Sequence, residues 1–434
     1  MKSAKIFSLT SIIIFLFIPA SSLFAQNNQQ DEFNKAKLLM MEGKYSQSTE
    51  LLTKLLDSDS TYSDIFYYLG LNYQSLSNFQ RASEFLEKTL KLDSANVKIM
   101  TLLGNDYYAA GRISNADSIL SKAFSLDSTD SQILLALGKT YKQEEYWNKA
   151  QAIYKRLTKL DSANSFYYEQ IARCNVKLKK IDGAIINFQI AHRLNPLNQN
   201  TVLQLGELYI SQDKLISASR IIDDGLRVYP KSAIIWTQKG NINLKMKNYD
   251  DAISNYQKSI SLGDSSETNF RNMGVGYYWK EEYDSSIVLL NKAVKITDKD
   301  PSAYFYLGAS YKGLKKYDLA IENLSKAVDL QRNDFMAEIL IQIAATYYAQ
   351  KDYSQALKFY QDALREKPDK KEIIFYLAAV YDHYYKDKSV ALKYYQKFLT
   401  KIGEGTDKNL VRYADDRINA LVEKAHFMKA DSSN

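Results

Sequence analysis

A small residue recurs at a fixed interval of 34 positions over most of this 434-residue chain. The positions are Gly70, Gly104, Gly138, Ala172, Gly206, Gly240, Gly274 and Gly308. A constant period of this length is typical of a solenoid, in which each unit packs on its neighbours. The period argues against a globular enzyme core and directs attention to the long surface that stacked units create.

Other columns keep the same period. A tyrosine follows the small residue by three positions in six units, and an alanine follows it by twelve positions in seven. Apolar residues recur with helical spacing on both sides of a polar break, as they do around Gly104. Each unit is therefore predicted to be two helices joined by a turn, with Gly and Ala allowing the paired helices to approach closely. One pair cannot bury its own apolar face, so the units must stack.

These columns resemble the pattern of the tetratricopeptide repeat (TPR) family. That pattern is Leu–Gly–x–x–Tyr after a large residue, then Ala–x–x–x–aromatic–x–x–Ala and a closing Pro. The unit from Tyr168 to Pro196 is nearly complete, and the resemblance covers about residues 31–400. It implies an all-α fold, a right-handed TPR superhelical solenoid of about eleven helix-turn-helix repeats over residues 32–402, with a C-terminal capping helix. In this family the first helices line a concave groove that holds ligands.

Both ends of the chain depart from the repeat. Residues 1–25 have a basic start, an apolar stretch and small residues before a cut after Ala25, which predicts a secretory signal peptide. The polar residues 26–31 are expected to form a disordered lead. At the other end, residues 403–428 contain an apolar stripe typical of the capping helix, and residues 429–434 are a tail.

The charge balance is mild. The signal peptide contributes two lysines and no acidic residue, so the formal net charge of +7 becomes +5 in the mature chain. This value does not favour nucleic acid as a partner, and no other stretch is long and apolar enough to span a bilayer. We expect an exported protein, periplasmic in a Gram-negative bacterium or secreted, without an integral membrane segment after signal removal.

Motifs for catalysis are missing from the sequence. It contains no Gly-rich phosphate loop, no paired-Cys or HExxH metal motif, and one cysteine, Cys174. The three histidines, His192, His383 and His426, are far apart in repeat order. We therefore expect no catalytic residues, no cofactor and no metal site, and a protein that is not an enzyme.

One column of primary amides is a candidate binding site. The position two residues before the small residue holds an amide in four consecutive units: Gln170, Gln204, Gln238 and Asn272. An amide offers both a donor and an acceptor, so an exposed row can pair with the backbone of an extended peptide. Some TPR proteins use amides at the matching position in this way. The alternative is that any polar residue suits a solvent-facing position.

Two smaller sets complete the candidates. The basic set is Lys139, Lys142, Arg173 and Lys177, on the first helices of two adjacent units, where an acidic segment can dock. The aromatic set is Tyr278 and Trp279, because the repeat does not require a ring at Trp279. An ordinary solvated helix face explains the first set equally simply, and structural packing explains the second.

Two functions remain open. The first is an exported, non-catalytic scaffold that binds protein or extended peptide segments in its groove during cell-envelope assembly or secretion. The second is a component of a polysaccharide secretion or handling system that binds glycan or its machinery. Binding of a defined oligosaccharide without any envelope protein favours the second.

Overall fold

The structure, a computed structural model, describes residues 20–58, 63–330 and 335–431. These residues form helices and connecting turns, with no strand among them. The chain divides into two compact units, Met1–Thr201 (unit 1) and Val202–Asn434 (unit 2). The helices of unit 1 are α1 Ala20–Met41, α2 Tyr45–Ser58, α3 Ser63–Ser75, α4 Phe79–Leu92, α5 Val97–Ala109, α6 Ile113–Leu126, α7 Ser131–Gln143, α8 Trp147–Leu160, α9 Ser165–Lys177 and α10 Ile181–Leu194.

Helix α11, Gln199–Ser211, begins at the end of unit 1 and lies mostly in unit 2. The other helices of unit 2 are α12 Leu215–Val228, α13 Ala233–Lys245, α14 Tyr249–Ser261, α15 Glu267–Trp279, α16 Tyr283–Ile296, α17 Pro301–Gly313, α18 Tyr317–Leu330, α19 Met336–Ala349, α20 Tyr353–Glu366, α21 Lys371–Tyr384, α22 Ser389–Leu399 and α23 Lys408–Asp431.

Helices α1 to α22 form eleven consecutive pairs, each an odd-numbered first helix followed by an even-numbered second helix. Within a pair the two helices pack together, as α5 does with α6 and α17 with α18. Within each unit, the second helix then packs on the first helix of the next pair, as α4 does on α5. The prediction of an all-α solenoid of about eleven helix-turn-helix repeats is confirmed.

The small-residue column lies where the two helices of a pair touch. A Cβ atom on Gly240 would lie 2.6 Å from Cε1 of Tyr256, and one on Gly138 would lie 2.8 Å from Cζ of Tyr154. These distances are shorter than van der Waals contact, so only the smallest side chains fit. Tyr154, Tyr256 and Tyr395 are fully buried. The missing side chains at Gly138 and Gly240 give the rings of Tyr154 and Tyr256 their space.

The turn inside each pair is also periodic. The residue seven positions after the small residue has a left-handed backbone, with φ of 59° at Glu145, 58° at Lys179 and 56° at Asp213. The amide of the next residue then bonds back to the first helix, as Lys180 N does to Asn175 O at 2.8 Å. This is the hydrogen-bonding geometry of a Schellman C-cap, which satisfies carbonyls at the helix end.

The structure describes only part of the N-terminal region. Residues 1–19 of the expected signal peptide lie outside the described residues, and its last six residues begin α1. Residues 26–31, expected to be disordered, are helical as part of α1. The reason is that α1 continues into a packed segment, where Phe33 and Ala36 are buried against Leu52 and Leu55.

At the other end, α23 packs on α22 and buries Ala414 and Leu421, as expected for a cap. Asp382 on α21 is 2% exposed and accepts hydrogen bonds from the Arg417 guanidinium of α23 at 2.5 and 3.2 Å. The helix reaches Asp431, beyond the expected end of the cap at residue 428.

Candidate functional site

The first helices approach one another directly. In unit 1, α1 contacts α3 and α5 contacts α7, and in unit 2, α13, α15, α17 and α19 make successive contacts. Side chains at four positions share the surface that these helices form: two before the small residue, and one, four and five after it. We call this surface, taken separately in each unit, the first-helix face. All ten candidate residues from the sequence lie on it.

The amide column is bonded to the protein itself. The carboxamide oxygen of Gln170 accepts a hydrogen bond from Lys142 Nζ. Gln238 Nε2 donates to the carbonyl of Leu203 at 3.2 Å. Asn272 Nδ2 donates to Asn241 Oδ1 at 2.9 Å. The partner comes each time from the preceding first helix, so these amides brace neighbouring repeats.

The expectation that the amides are exposed is wrong. Gln170 is 6% exposed, and Gln204, Gln238 and Asn272 are half-buried. The inter-repeat bonds explain this burial, because an amide that reaches the preceding helix is covered by it. The amides do not form a free row of identical groups. Each retains different unused hydrogen-bonding capacity for a ligand.

The basic set divides into exposed and half-buried members. Lys139 and Arg173 are exposed, and Arg173 lies 4.0 Å from the Glu169 carboxylate. Lys142 is half-buried, and burial lowers its pKa, with smaller contributions from the Arg173 and Lys139 charges. Lys177 is separate from this group, because its ammonium lies over the Trp147 ring at 5.7 Å. Lys139, Lys142 and Arg173 thus form one positive region.

The thiol in this region is buried. Cys174 is completely buried on α9, and burial raises its pKa to about 11. The thiol is therefore protonated at neutral pH, and reactivity requires the thiolate.

The aromatic set belongs to a larger group of rings in unit 2. Trp279 is 52% exposed, yet its ring stacks on Tyr249 with centroids 6.3 Å apart and an interplanar angle of 9°. Tyr278 meets Trp279 edge to face at 5.3 Å and meets Tyr306 of the next first helix at the same distance. Burial raises the pKa of both Tyr278 and Tyr306. Trp279 is therefore an exposed ring held in a fixed orientation.

Sequence reasoning missed one pair on this face. Lys312 on α17 donates to the carboxamide oxygen of Gln342 on α19 at 2.6 Å. Lys312 occupies the same repeat position as Lys142, and Gln342 the same position as Gln170. The signal was present in the sequence, because a Lys four residues after the small residue precedes a Gln in the next unit in both cases.

Other kinds of site receive no support from the described residues. No three of their His, Cys, Asp and Glu side chains are grouped so that they can hold a metal ion. None of their helices is long and apolar enough to cross a membrane.

Comparisons with known proteins agree with the helical pairs. Models of the tetratricopeptide repeat match residues 131–164, 233–262 and 300–368. A search of curated protein sequences finds no significant match.

Similar solved structures include yeast Tom70, at 14% identity over 92% of this chain and 99% of that one, with a TM-score of 0.43. The Cut9–Hcn1 hetero-tetramer of the APC/C matches at 16% identity over 91% of each chain, with a TM-score of 0.47. YrrB, a TPR protein with an unusual peptide-binding site, matches at 19% identity over 43% of this chain and 95% of its own, with a TM-score of 0.36. Because the identities and TM-scores are this low, the ligands of these proteins are not transferred to this chain.

The identification rests instead on three features that agree. The 34-residue columns span most of the chain, the helices follow one another in eleven pairs, and the family models match three separate stretches. The chain contains tetratricopeptide repeats, and this repeat is a scaffold for protein–protein interaction.

Proposed function

We propose that this protein is an exported, non-catalytic scaffold that binds an extended segment of a partner protein on its first-helix face, in cell-envelope assembly or secretion. The single observation that carries the proposal is Trp279. A large ring with 52% of its surface exposed is kept in one orientation by Tyr249 and Tyr278. Rigid aromatic side chains of this kind dominate binding energy at protein interfaces, since little side-chain entropy is lost on binding.

The face around Trp279 supports the same proposal. Tyr306 continues the aromatic surface onto the next first helix, and the Asn241–Asn272 pair lies on the preceding side. Rings can take apolar side chains of an extended segment, and amide groups can bond its backbone. Export rests on the sequence of residues 1–25, with their basic start, apolar stretch and cleavage site after Ala25.

The experiment is in-cell cross-linking followed by purification of the chain and its partners. We expect a specific partner with the wild type, and a loss of at least ten-fold with Trp279→Ala. Tyr146→Ala is the matched control, because Tyr146 is an aromatic residue that is 48% exposed but lies in the turn between α7 and α8. Equal loss in both variants, or no loss in either, contradicts a role for the aromatic surface. Recovery of the chain in the cytoplasm with residues 1–25 intact contradicts export.

One observation favours the polysaccharide alternative. Tyr384 and Tyr385, at the end of α21, are 47% and 45% exposed, and their centroids lie 4.7 Å apart. Tyr353 and His383 extend this group of rings. Exposed rings with polar edges suit sugar rings as well as peptides. Binding of an envelope oligosaccharide that is lost in Tyr384→Ala but kept in Trp279→Ala supports the polysaccharide function.

A further inference from the structure

We propose that Lys312 and Gln342 form a docking point for a carboxylate side chain of an acidic, extended peptide segment, with the aromatic surface of Trp279, Tyr278 and Tyr306 taking an apolar side chain of the same segment. The inference rests on the proposed function and specifies the chemistry of its ligand. The expected segment carries an acidic residue and an aromatic residue at a fixed spacing.

Lys312 is a half-buried cation without a counter-charge. Among the described residues, the only hydrogen bond of its side chain is to the neutral carboxamide oxygen of Gln342, and no carboxylate lies within ion-pair distance of its ammonium. Burial lowers its pKa, which reports the cost of removing an ammonium from water. Buried charges in proteins are usually paired. A ligand carboxylate would supply the missing partner.

Other cations of unit 2 show the contrast. Arg271 on α15 lies 2.7 Å from the Asp300 carboxylate and 3.6 Å from that of Glu267. Lys280 lies 2.7 Å from the carboxylates of both Asp250 and Glu282. These residues are already neutralised within the protein, whereas Lys312 is not.

Gln342 adds directionality to the site. Its oxygen is used by Lys312, but Nε2 has no hydrogen-bond partner among the described residues. A carboxylate can therefore accept one hydrogen bond from the ammonium and a second from the amide, and charge-assisted bonds of this kind are the strong ones. The amide holds the lysine in place without cancelling its charge.

The same arrangement occurs independently in unit 1. Lys142 donates to Gln170, both residues stand at the matching repeat positions, and burial again lowers the lysine pKa. In unit 1, however, only Tyr108 repeats the aromatic surface, at the position of Tyr278, because the positions of Trp279 and Tyr306 are held by Ala109 and Ala136. A peptide segment that carries both an acidic and an aromatic side chain is therefore expected to bind only to unit 2.

The spacing of the ligand follows from the helices. The Lys312–Gln342 bond joins α17 to α19, and the Tyr278–Tyr306 contact joins α15 to α17, so the two features are one repeat apart. Packed helices are about 8–10 Å apart. An extended chain covers about 3.3 Å per residue. The acidic and aromatic residues of the segment should be about three positions apart.

The test uses the full chain with Trp147→Phe and Trp236→Phe, which leaves Trp279 as the only tryptophan. The probe is a synthetic peptide with two copies of Glu-Ser-Ser-Phe-Ser-Ser, in which acid and ring are three residues apart in both chain directions. Fluorescence of Trp279 reports binding at the aromatic surface. A second peptide replaces each Glu by Gln, and a third replaces each Phe by Ala.

We expect Lys312→Gln to weaken binding of the Glu peptide about ten-fold and to leave the weak binding of the Gln peptide unchanged. Lys316→Gln, the same charge change at an exposed residue of the following turn, should have no effect. Equal binding of the Glu peptide by wild type and Lys312→Gln overturns the inference, while its dependence on Phe keeps the proposed function. If neither Glu nor Phe affects binding and a uronic-acid oligosaccharide binds instead, both are wrong.

Discussion

The first-helix faces of the two units carry different chemistry on the same packing. In unit 1 the face around α7 and α9 is basic, and in unit 2 the face from α13 to α19 combines amides with aromatic rings. Beneath both faces the helix pairs meet in the same way, since Gly138 accommodates Tyr154 and Gly240 accommodates Tyr256. The fold therefore restricts which residue types can occupy the packing layer. The residue types on the face are not restricted in this way and can be suited to a ligand.

The largest expected effect tests the shared packing layer. Gly138→Leu and Gly240→Leu should each lower the free energy of unfolding by about 3 kcal/mol, the upper end for overpacking. The reason is that a Cβ atom alone would already lie 2.8 Å or 2.6 Å from the opposed, fully buried tyrosine ring. Urea unfolding followed by circular dichroism measures the loss.

Gly403→Ala is the control for these two variants, because a Cβ atom there meets nothing within 4 Å. A similar loss in both leucine variants, with little change in the control, supports the shared layer. A large loss in one unit and none in the other would show that the packing layers differ after all.

Unit 1 has a buried acidic residue two positions after the small residue of one repeat, and no repeat of unit 2 has an acidic residue there. Asp106 on α5 is 2% exposed, and its Oδ1 accepts from Gln74 at 2.7 Å while Oδ2 has no partner among the described residues. Burial raises its pKa to about 7. One of the matching residues in unit 2 is Ser310, whose hydroxyl bonds Ser286 at 3.0 Å.

The folded state holds the Asp106 proton more tightly than the unfolded state, so stability should fall as pH rises from about 4 to 7. Asp106→Asn should remove this slope and raise the free energy of unfolding at pH 8 by about 2 kcal/mol, less than the full pKa shift because solvent and relaxation reduce it. Unfolding midpoints at several pH values measure the effect. Ser310→Ala, the matched change in unit 2, should leave the pH profile unaltered, and an unchanged slope in Asp106→Asn contradicts the assignment.

Sequence reasoning reached the fold but only part of the site. Repeated Gly and Ala positions predict helix pairs because close packing restricts residue size there, and the Gly240–Tyr256 contact shows that restriction. The left-handed turn could not be read from Lys179 or Glu145, because neither residue type favours that conformation. The hydrogen-bond partners of the amides could not be predicted either. A repeated sequence position shows which residues lie on the same face, but it does not show which side chains bond to one another between neighbouring helices.

The smallest expected effect is a difference in unfolding free energy between variants of amides that bond to a neighbouring repeat and a variant of an amide that does not. Gln170→Ala should cost about 1 kcal/mol of unfolding free energy, because it removes the acceptor of the half-buried Lys142 ammonium. Gln342→Ala should cost a similar amount in unit 2 through Lys312. Gln204→Ala should stay within about 0.5 kcal/mol, since the structure shows no side-chain hydrogen bond for Gln204 within its own unit. Urea unfolding midpoints at equal m-values test this ranking. Equal losses of unfolding free energy at all three positions would mean that the hydrogen bonds to the two lysines add no stability. The amides would then be kept on the face for another reason.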